Sequence, residues 1–160
     1  MPLHYPSHMD EHDKDMIDFI NVFNKASPPT LYIEINPEQY MTDCILHTPW
    51  GDFGIDWETR KRHYTKKKFP FKELWQVERK FESKKGINIT IQMNKIRSHI
   101  VCAFHKDFST ETKRIDRKTE FGIEKEGGYR TTKQFKEYSI KDLRSFKLWL
   151  CMKCLHLGKQ

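Results

Sequence analysis

The segment from Asp43 to Arg60 constrains this chain more than any other part of it. Proline presets φ and glycine tolerates positive φ, so Pro49-Trp50-Gly51-Asp52 reads as a turn between two strands. Folding symmetrically about Trp50 and Gly51 pairs Thr48 with Phe53, Leu46 with Ile55, Cys44 with Trp57, and Asp43 with Glu58. Side chains alternate along a strand, so Cys44, Leu46, Phe53, Ile55 and Trp57 share one apolar face. Asp43, Ile45, His47, Asp56 and Glu58 share the other. Like charges set across a hairpin are destabilising, and a hard divalent cation is the obvious compensation. The plain alternative is that these acids form the solvent face of a half-buried hairpin. A slip of one residue would send them to opposite faces.

Charge divides the chain at the end of this hairpin. Up to Glu58 there are two Lys/Arg against eleven Asp/Glu, and beyond it twenty-seven against eleven. An acidic site embedded in a surface that attracts polyanions is the reading this split favours, with nucleic acid as the leading partner. The run from Arg60 to Lys68 supplies Arg60, Lys61, Arg62, Lys66, Lys67 and Lys68 as candidate phosphate contacts; its alternative is a solvated, flexible loop. The basic residues trace no amphipathic anchor, so a membrane surface is not an expected partner.

Hydrophobic residues at 37% and aromatics at 13% suit a packed core, and one globular domain is expected over 10–160 behind a flexible tail at 1–9. No apolar run approaches the ~20 residues of a membrane helix. The opening residues lack a basic segment leading into an apolar one, so the expected setting is intracellular, cytoplasmic or nuclear. Cys44, Cys102, Cys151 and Cys154 make no disulfide framework, and reduced thiols are expected. Cys151, Cys154 and His156 invite zinc, but a second ligand pair is missing from the sequence, and core packing is the better reading.

Periodicity supplies the remaining elements. Met16, Ile17, Phe19, Ile20, Val22 and Phe23 recur at helical spacing over Asp10–Ala26, and Leu31, Ile33 and Ile35 alternate as a strand. Leu74, Val77 and Phe81 form a helical stripe over 70–83, ended by Lys84-Lys85-Gly86. Ile87–Met93 and His99–His105 read as a hairpin, and 106–120 as a mobile loop. Phe121–Ile123 and Tyr129–Thr132 suggest a small hairpin around Glu126-Gly127-Gly128, and a closing helix runs from about Ser139 to Leu157. The expected fold is α+β with an α/β-like core: an α-β-β-β-α-β-β mixed sheet flanked by helices, then a C-terminal hairpin and the closing helix.

This order, with Asp43 opening the second strand and Asp56-Trp57-Glu58 in the third, resembles the PD-(D/E)XK nuclease superfamily over roughly residues 10–105. The resemblance implies one or two Mg²⁺ (or Mn²⁺) ions held by Asp43, Asp56 and Glu58, and hydrolysis of phosphodiester bonds. Two alignments of the acidic-x-Lys triplet stand open. Asp56-Trp57-Glu58 puts Glu58 where the family has Lys, and Glu58-Thr59-Arg60 puts Arg60 there, a cation that stabilises negative charge but does not act as a base. Gln76 matches a helical Gln that some family exonucleases carry near the metal, and Glu34 is an outside candidate for a fourth acid.

The chemistry also stands without the resemblance. Hydrolysing a phosphodiester needs charge neutralisation and a nucleophilic hydroxide, and Mg²⁺ on one or two carboxylates supplies both. The expected function is therefore a metal-dependent nuclease, with DNA ahead of RNA as substrate and a homodimer left open. The alternative is a non-catalytic nucleic-acid-binding or protein-interaction module with a basic face. Trp50 and Tyr64 are weighed as base-stacking groups against ordinary turn and loop aromatics.

Overall fold

The computed structural model of the chain describes residues 3, 10–37, 42–81, 86–109, 113–119, 122–131 and 134–158. Helix α1 spans Glu11–Lys25, with Asp10 capping it by accepting the Asp13 N–H at 2.9 Å and acids in its first turn. Strands β1 (Tyr32–Ile35), β2 (Cys44–Thr48) and β3 (Gly51–Arg60) follow as an antiparallel meander. Then come β4 (Leu74–Val77), β5 (Ile87–Asn94), β6 (His99–Phe104), β7 (Lys113–Thr119), β8 (Gly122–Thr131) and β9 (Lys136–Ser139). Helix α2, Leu143–Gly158, comes last; the first residues of the expected closing helix form a 3-10 turn, Ile140–Asp142. The architecture is α+β, with a six-stranded sheet ordered β1-β2-β3-β5-β6-β9 and a three-stranded sheet ordered β4-β8-β7.

Every pairing in the larger sheet is antiparallel except β3 with β5. A parallel pair needs a long crossover, usually helical. Here the crossover carries the basic run and β4, and no α-helix among its described residues. At its return, Gly54 lies so close to the carbonyl oxygen of Gly86 that a Cβ would sit 2.1 Å from it, and the β3–β5 ladder shifts register there.

The two faces of this sheet are covered differently. Cys44, Leu46, Phe53, Ile55 and Trp57 pack with Ile89, Ile91, Met93, Ile100, Cys102 and Phe104 against Phe19, Ile20 and Phe23 of α1 and Phe146, Trp149 and Leu150 of α2. Cys154 is buried in the same core, and all four cysteines are free. The opposite face meets a second cluster in which Val101 and Ala103 of β6 join Tyr64, Phe69, Leu74 and Phe108. The small sheet lies over this second face, with Gln76 of β4 reaching Asp56 of β3 and Thr90 of β5.

Several expectations are corrected. The hairpin register differs by two residues: Thr48 pairs with Gly51, Leu46 with Phe53 and Cys44 with Ile55, and Asp43, just outside the ladder, donates its N–H to Ile55 O at 3.0 Å instead of pairing with Glu58. The Thr48 hydroxyl tightens the turn by donating to Gly51 O at 2.7 Å. An even shift leaves every side chain on its expected face. The helix expected over 70–83 is β4 followed by a 3-10 turn, Glu78–Phe81. Pairing of Leu74–Val77 with β8 overrides the helical spacing. Gly127 and Gly128 are not a turn but buried mid-strand positions of β8, where a Cβ on Gly128 would lie 2.2 Å from the Trp75 indole. Lys113–Thr119, expected in a loop, is β7, whose register sets Asp116 level with Lys125 and Arg117 with Glu124. The expected helix end at Lys84-Lys85 and most of the expected tail at 1–9 lie outside the described residues; Leu3 bonds through its backbone to Asn21. No helix among the described residues is long and apolar enough to cross a membrane.

Candidate functional site

Asp56 is the centre of the polar side of the sheet. It lies mid-strand on β3, beside Thr90 in the parallel register with β5, and is 4% exposed. Lys80, from the 3-10 turn after β4, places Nζ 2.8 Å from Oδ1, while Gln76 donates from Nε2 to Oδ2 at 3.0 Å. Gln76 also donates to Thr90 Oγ1 at 3.1 Å, and that hydroxyl lies 2.6 Å from His105 Nε2. His105 stacks on Phe81 with ring centroids 4.3 Å apart. Burial drives its pKa down to about 4, against the pull of the Asp56 charge, so its ring is neutral near pH 7.

Asp43 stands where β2 begins, half-buried. Its Oδ2 accepts the Trp57 backbone N–H at 2.8 Å, which ties it to β3 one residue beyond Asp56. Burial raises its carboxyl pKa, the Trp57 N–H opposes this, and the charge of Asp56 adds to the rise. Burial likewise raises the Glu58 carboxyl pKa, with Arg60 as the main counterweight. Its side chain is 45% exposed and its ion pair with Arg60 spans 3.9 Å, so solvent screens both effects. His12 of α1 approaches from the helix side. Burial opposes its charge, but its bonds to Trp57 O at 2.9 Å and to Asp13 prevail and raise its pKa.

The other expected residues are dispersed. Arg60 bridges Glu58 to Gln92, with 3.4 Å between Nη1 and Gln92 Oε1. Lys61 pairs with Glu11 at 3.0 Å, and Arg62, Lys66, Lys67 and Lys68 are exposed. The run is largely solvent-exposed but anchored at two points. Tyr64 is fully buried, with its hydroxyl on Glu137, and Asn94 Nδ2 donates to Lys66 O at 3.0 Å. Tyr64 is therefore an anchor, and Trp50 packs against the main core. Glu34 does not join Asp56; it lies 3.4 Å from His47, which also meets Asp52 at 2.8 Å near the hairpin tip. Gln76 does reach the site, from a strand instead of a helix.

Asp43, Asp56 and Glu58 share a face and one electrostatic environment, but their oxygens are spread beyond a single coordination sphere. Among the described residues, the only three His, Cys, Asp or Glu side chains with donor atoms all within 4.8 Å are Asp10, His12 and Asp13. That trio sits at the α1 N-terminus, already engaged in the cap and in the contacts of His12. Sequence reasoning misses Lys80, Thr90 and His105 entirely. The one available signal is that Lys80 lies four positions after Gln76.

No protein-family model, curated protein or solved structure matches this chain.

Proposed function

We propose that this chain is a divalent-metal-dependent nuclease whose centre is Asp43, Asp56 and Glu58 with Lys80. The observation that carries the reading is the buried Asp56 carboxylate, clamped by Lys80 and Gln76 and flanked on the same face by two further acids. The donor set is all hard oxygen, which suits Mg²⁺ or Mn²⁺. Charge fits as well, since burial raises the carboxyl pKa of both Asp43 and Glu58 beyond what Lys80, His12 and, at Glu58, Arg60 offset, and a bound cation would favour their charged forms. Spacing does not fit as the side chains stand, since their donor atoms do not all fall within 4.8 Å of one another; Glu58, half exposed and 3.9 Å from Arg60, is the least firmly held.

Asp43, Glu58 and one oxygen of Asp56 would hold the ion, and a divalent cation bound there would supply a lowered pKa for water and charge neutralisation for a phosphate oxygen. The chain's own groups then have distinct tasks. Lys80 and Gln76 fix the Asp56 carboxylate. The Lys80 ammonium also offers positive charge where negative charge develops on a phosphate, in place of the strand-borne lysine of the PD-(D/E)XK pattern. Exposed Lys66, Lys67 and Lys68 hold the phosphate backbone.

A second reading, a binding module that cuts nothing, is favoured by one observation: both oxygens of Asp56 already have partners. Incubating the protein with single- and double-stranded DNA and RNA, in Mg²⁺, Mn²⁺ or EDTA, separates the two. A nuclease gives metal-dependent cutting that falls about a hundredfold or more in Asp43→Asn and Asp56→Asn. Absence of cutting, or cutting that these variants retain, overturns the reading.

A further inference from the structure

Two positions along the ladder from Asp56 and Thr90, Glu58 pairs with Gln92, and a cavity of about 210 Å³ opens beside them. Its lining combines Phe69, Phe71 and Trp75 with Arg60, Glu73 and Gln92, and Trp75 meets Gln92 through its backbone oxygen. We propose that this cavity seats an unpaired nucleobase, so that the ligand of the neighbouring acid site is single-stranded nucleic acid. The proposal rests on the nuclease reading for what happens to that strand, but not for its binding.

The walls carry the chemistry a base requires. Phe71 is 46% exposed, an aromatic ring left at the surface when a large apolar side chain would ordinarily be covered. It is braced edge-on by the buried Phe69, with centroids 5.5 Å apart and an interplanar angle of 72°. Aromatic faces of this kind stack bases of any identity. Gln92 is 1% exposed, yet both its hydrogen bonds are long: 3.4 Å from Arg60 Nη1 to its oxygen and 3.5 Å from its nitrogen to Trp75 O. A buried carboxamide with a slack donor and a slack acceptor is suited to the edge of a base. Arg60 presents a planar guanidinium that both stacks and pairs with phosphate.

Placement joins the cavity to the acids. By strand rise, the Gln92 level lies roughly 7 Å along β5 from the Thr90 level. Arg60 belongs to both places, as a wall of the cavity and the ion-pair partner of Glu58. Exposed Lys66, Lys67 and Lys68 directly precede Phe69, and exposed Lys72 follows Phe71, so the aromatic floor is bordered by cations that track a phosphate backbone. A base inside a duplex cannot enter such a cavity without being unpaired and unstacked, which disfavours duplex relative to single strand.

The test is binding measured by fluorescence anisotropy in EDTA, with labelled oligothymidylate, oligouridylate and a duplex of equal length. Wild type is expected to bind at least one of the single strands about tenfold more tightly than duplex. Phe71→Ala should weaken single-strand binding about tenfold, leave duplex binding unchanged, and be rescued by Phe71→Trp. Lys67→Ala should weaken both and reduce the salt slope by about one. Duplex binding equal to single-strand binding, or Phe71→Ala affinity within twofold of wild type, overturns the proposal. Because no metal is present, a protein that binds single strands through Phe71 but never cuts them defeats only the nuclease reading. One that cuts but is indifferent to Phe71 defeats only the base cavity.

Discussion

Lys80 Nζ lies 2.8 Å from Asp56 Oδ1, with the carboxylate side chain 6% exposed and the lysine 30% exposed. The pair is therefore unequal: the anion is buried by the sheet, and the cation reaches in from the surface. Removing Lys80 leaves Asp56 buried with only the Gln76 amide on it, a situation that costs about 3–5 kcal/mol for a fully buried pair and less where water can reach. Lys80→Met should lower stability by about 2–3 kcal/mol in urea denaturation. If the acids bind a divalent ion, millimolar Mg²⁺ should restore part of this loss, and more of it than in wild type. A Lys80→Met protein whose stability ignores Mg²⁺ would count against metal binding at this site.

His105 makes stability pH-dependent through a ring that burial keeps neutral. Its Nδ1 is buried without a partner and its pKa is lowered to about 4 from an ordinary 6.5. Between these values the unfolded chain binds the proton and the folded one does not, so stability falls as pH drops from 6.5 toward 4. The contribution is on the order of 2–3 kcal/mol across that window. Asp43 and Glu58 have raised pKa values and work in the opposite direction, since the folded state then holds more protons in the acid range. Comparing wild type with His105→Gln by denaturation at pH 7 and pH 4.5 isolates the histidine. The variant should lose less stability than wild type on acidification, and equal losses would show that His105 is not held neutral.

The hairpin shows what a sequence can reveal here and what it cannot. Turn chemistry at Pro49-Trp50-Gly51 and strict alternation place Cys44, Leu46, Phe53, Ile55 and Trp57 toward the helices, although the register differs by two. Faces survive an even shift, but the opposite number of Asp43 does not. Helix α1 and strands β5 and β6 are legible because their patterns are local. Lys80, Thr90 and His105 are not, since they meet Asp56 only through the parallel β3–β5 ladder and the β4 crossover. The stripe Leu74, Val77 and Phe81 misleads because four residues of strand and one 3-10 turn reproduce helical spacing.

The parallel junction depends on one missing side chain. At Gly54 a Cβ would lie 2.1 Å from Gly86 O and 3.0 Å from Thr42 Oγ1, while the Gly54 N–H is held by Asn88 Oδ1 at 2.9 Å. The obstacle is backbone, so a rotamer change cannot relieve it. Gly54→Ala should destabilise the protein by about 1–3 kcal/mol, as overpacked sites do. Hydrogen exchange should locate the loss at the N-terminal end of β5 in particular. A variant as stable as wild type would mean that the Gly86 backbone yields freely.

Lys147 anchors the two helices to each other across the core. It is 0% exposed, yet its ammonium donates to Phe23 O at 3.0 Å and Ala26 O at 2.6 Å, the carbonyls where α1 ends. It also lies 4.6 Å from the centroid of the Phe23 ring. A cation at a helix C-terminus meets the last carbonyls and the negative end of the dipole, while burial pulls its pKa down against the opposing pull of Cys151. Lys147→Met retains most of the apolar stem but takes the ammonium from both carbonyls, and Phe23 O keeps only the Ala26 N–H at 3.1 Å. Hydrogen bonds to charged groups contribute about 1.5–3 kcal/mol each, so the variant should lose roughly 2–4 kcal/mol in chemical denaturation. Nucleic-acid binding should be unchanged at temperatures where the variant is folded, because Lys147 faces α1 and not the polar side of the sheet. A loss of binding without loss of stability would place Lys147 in the wrong role, whereas neutral stability would show that water reaches the end of α1.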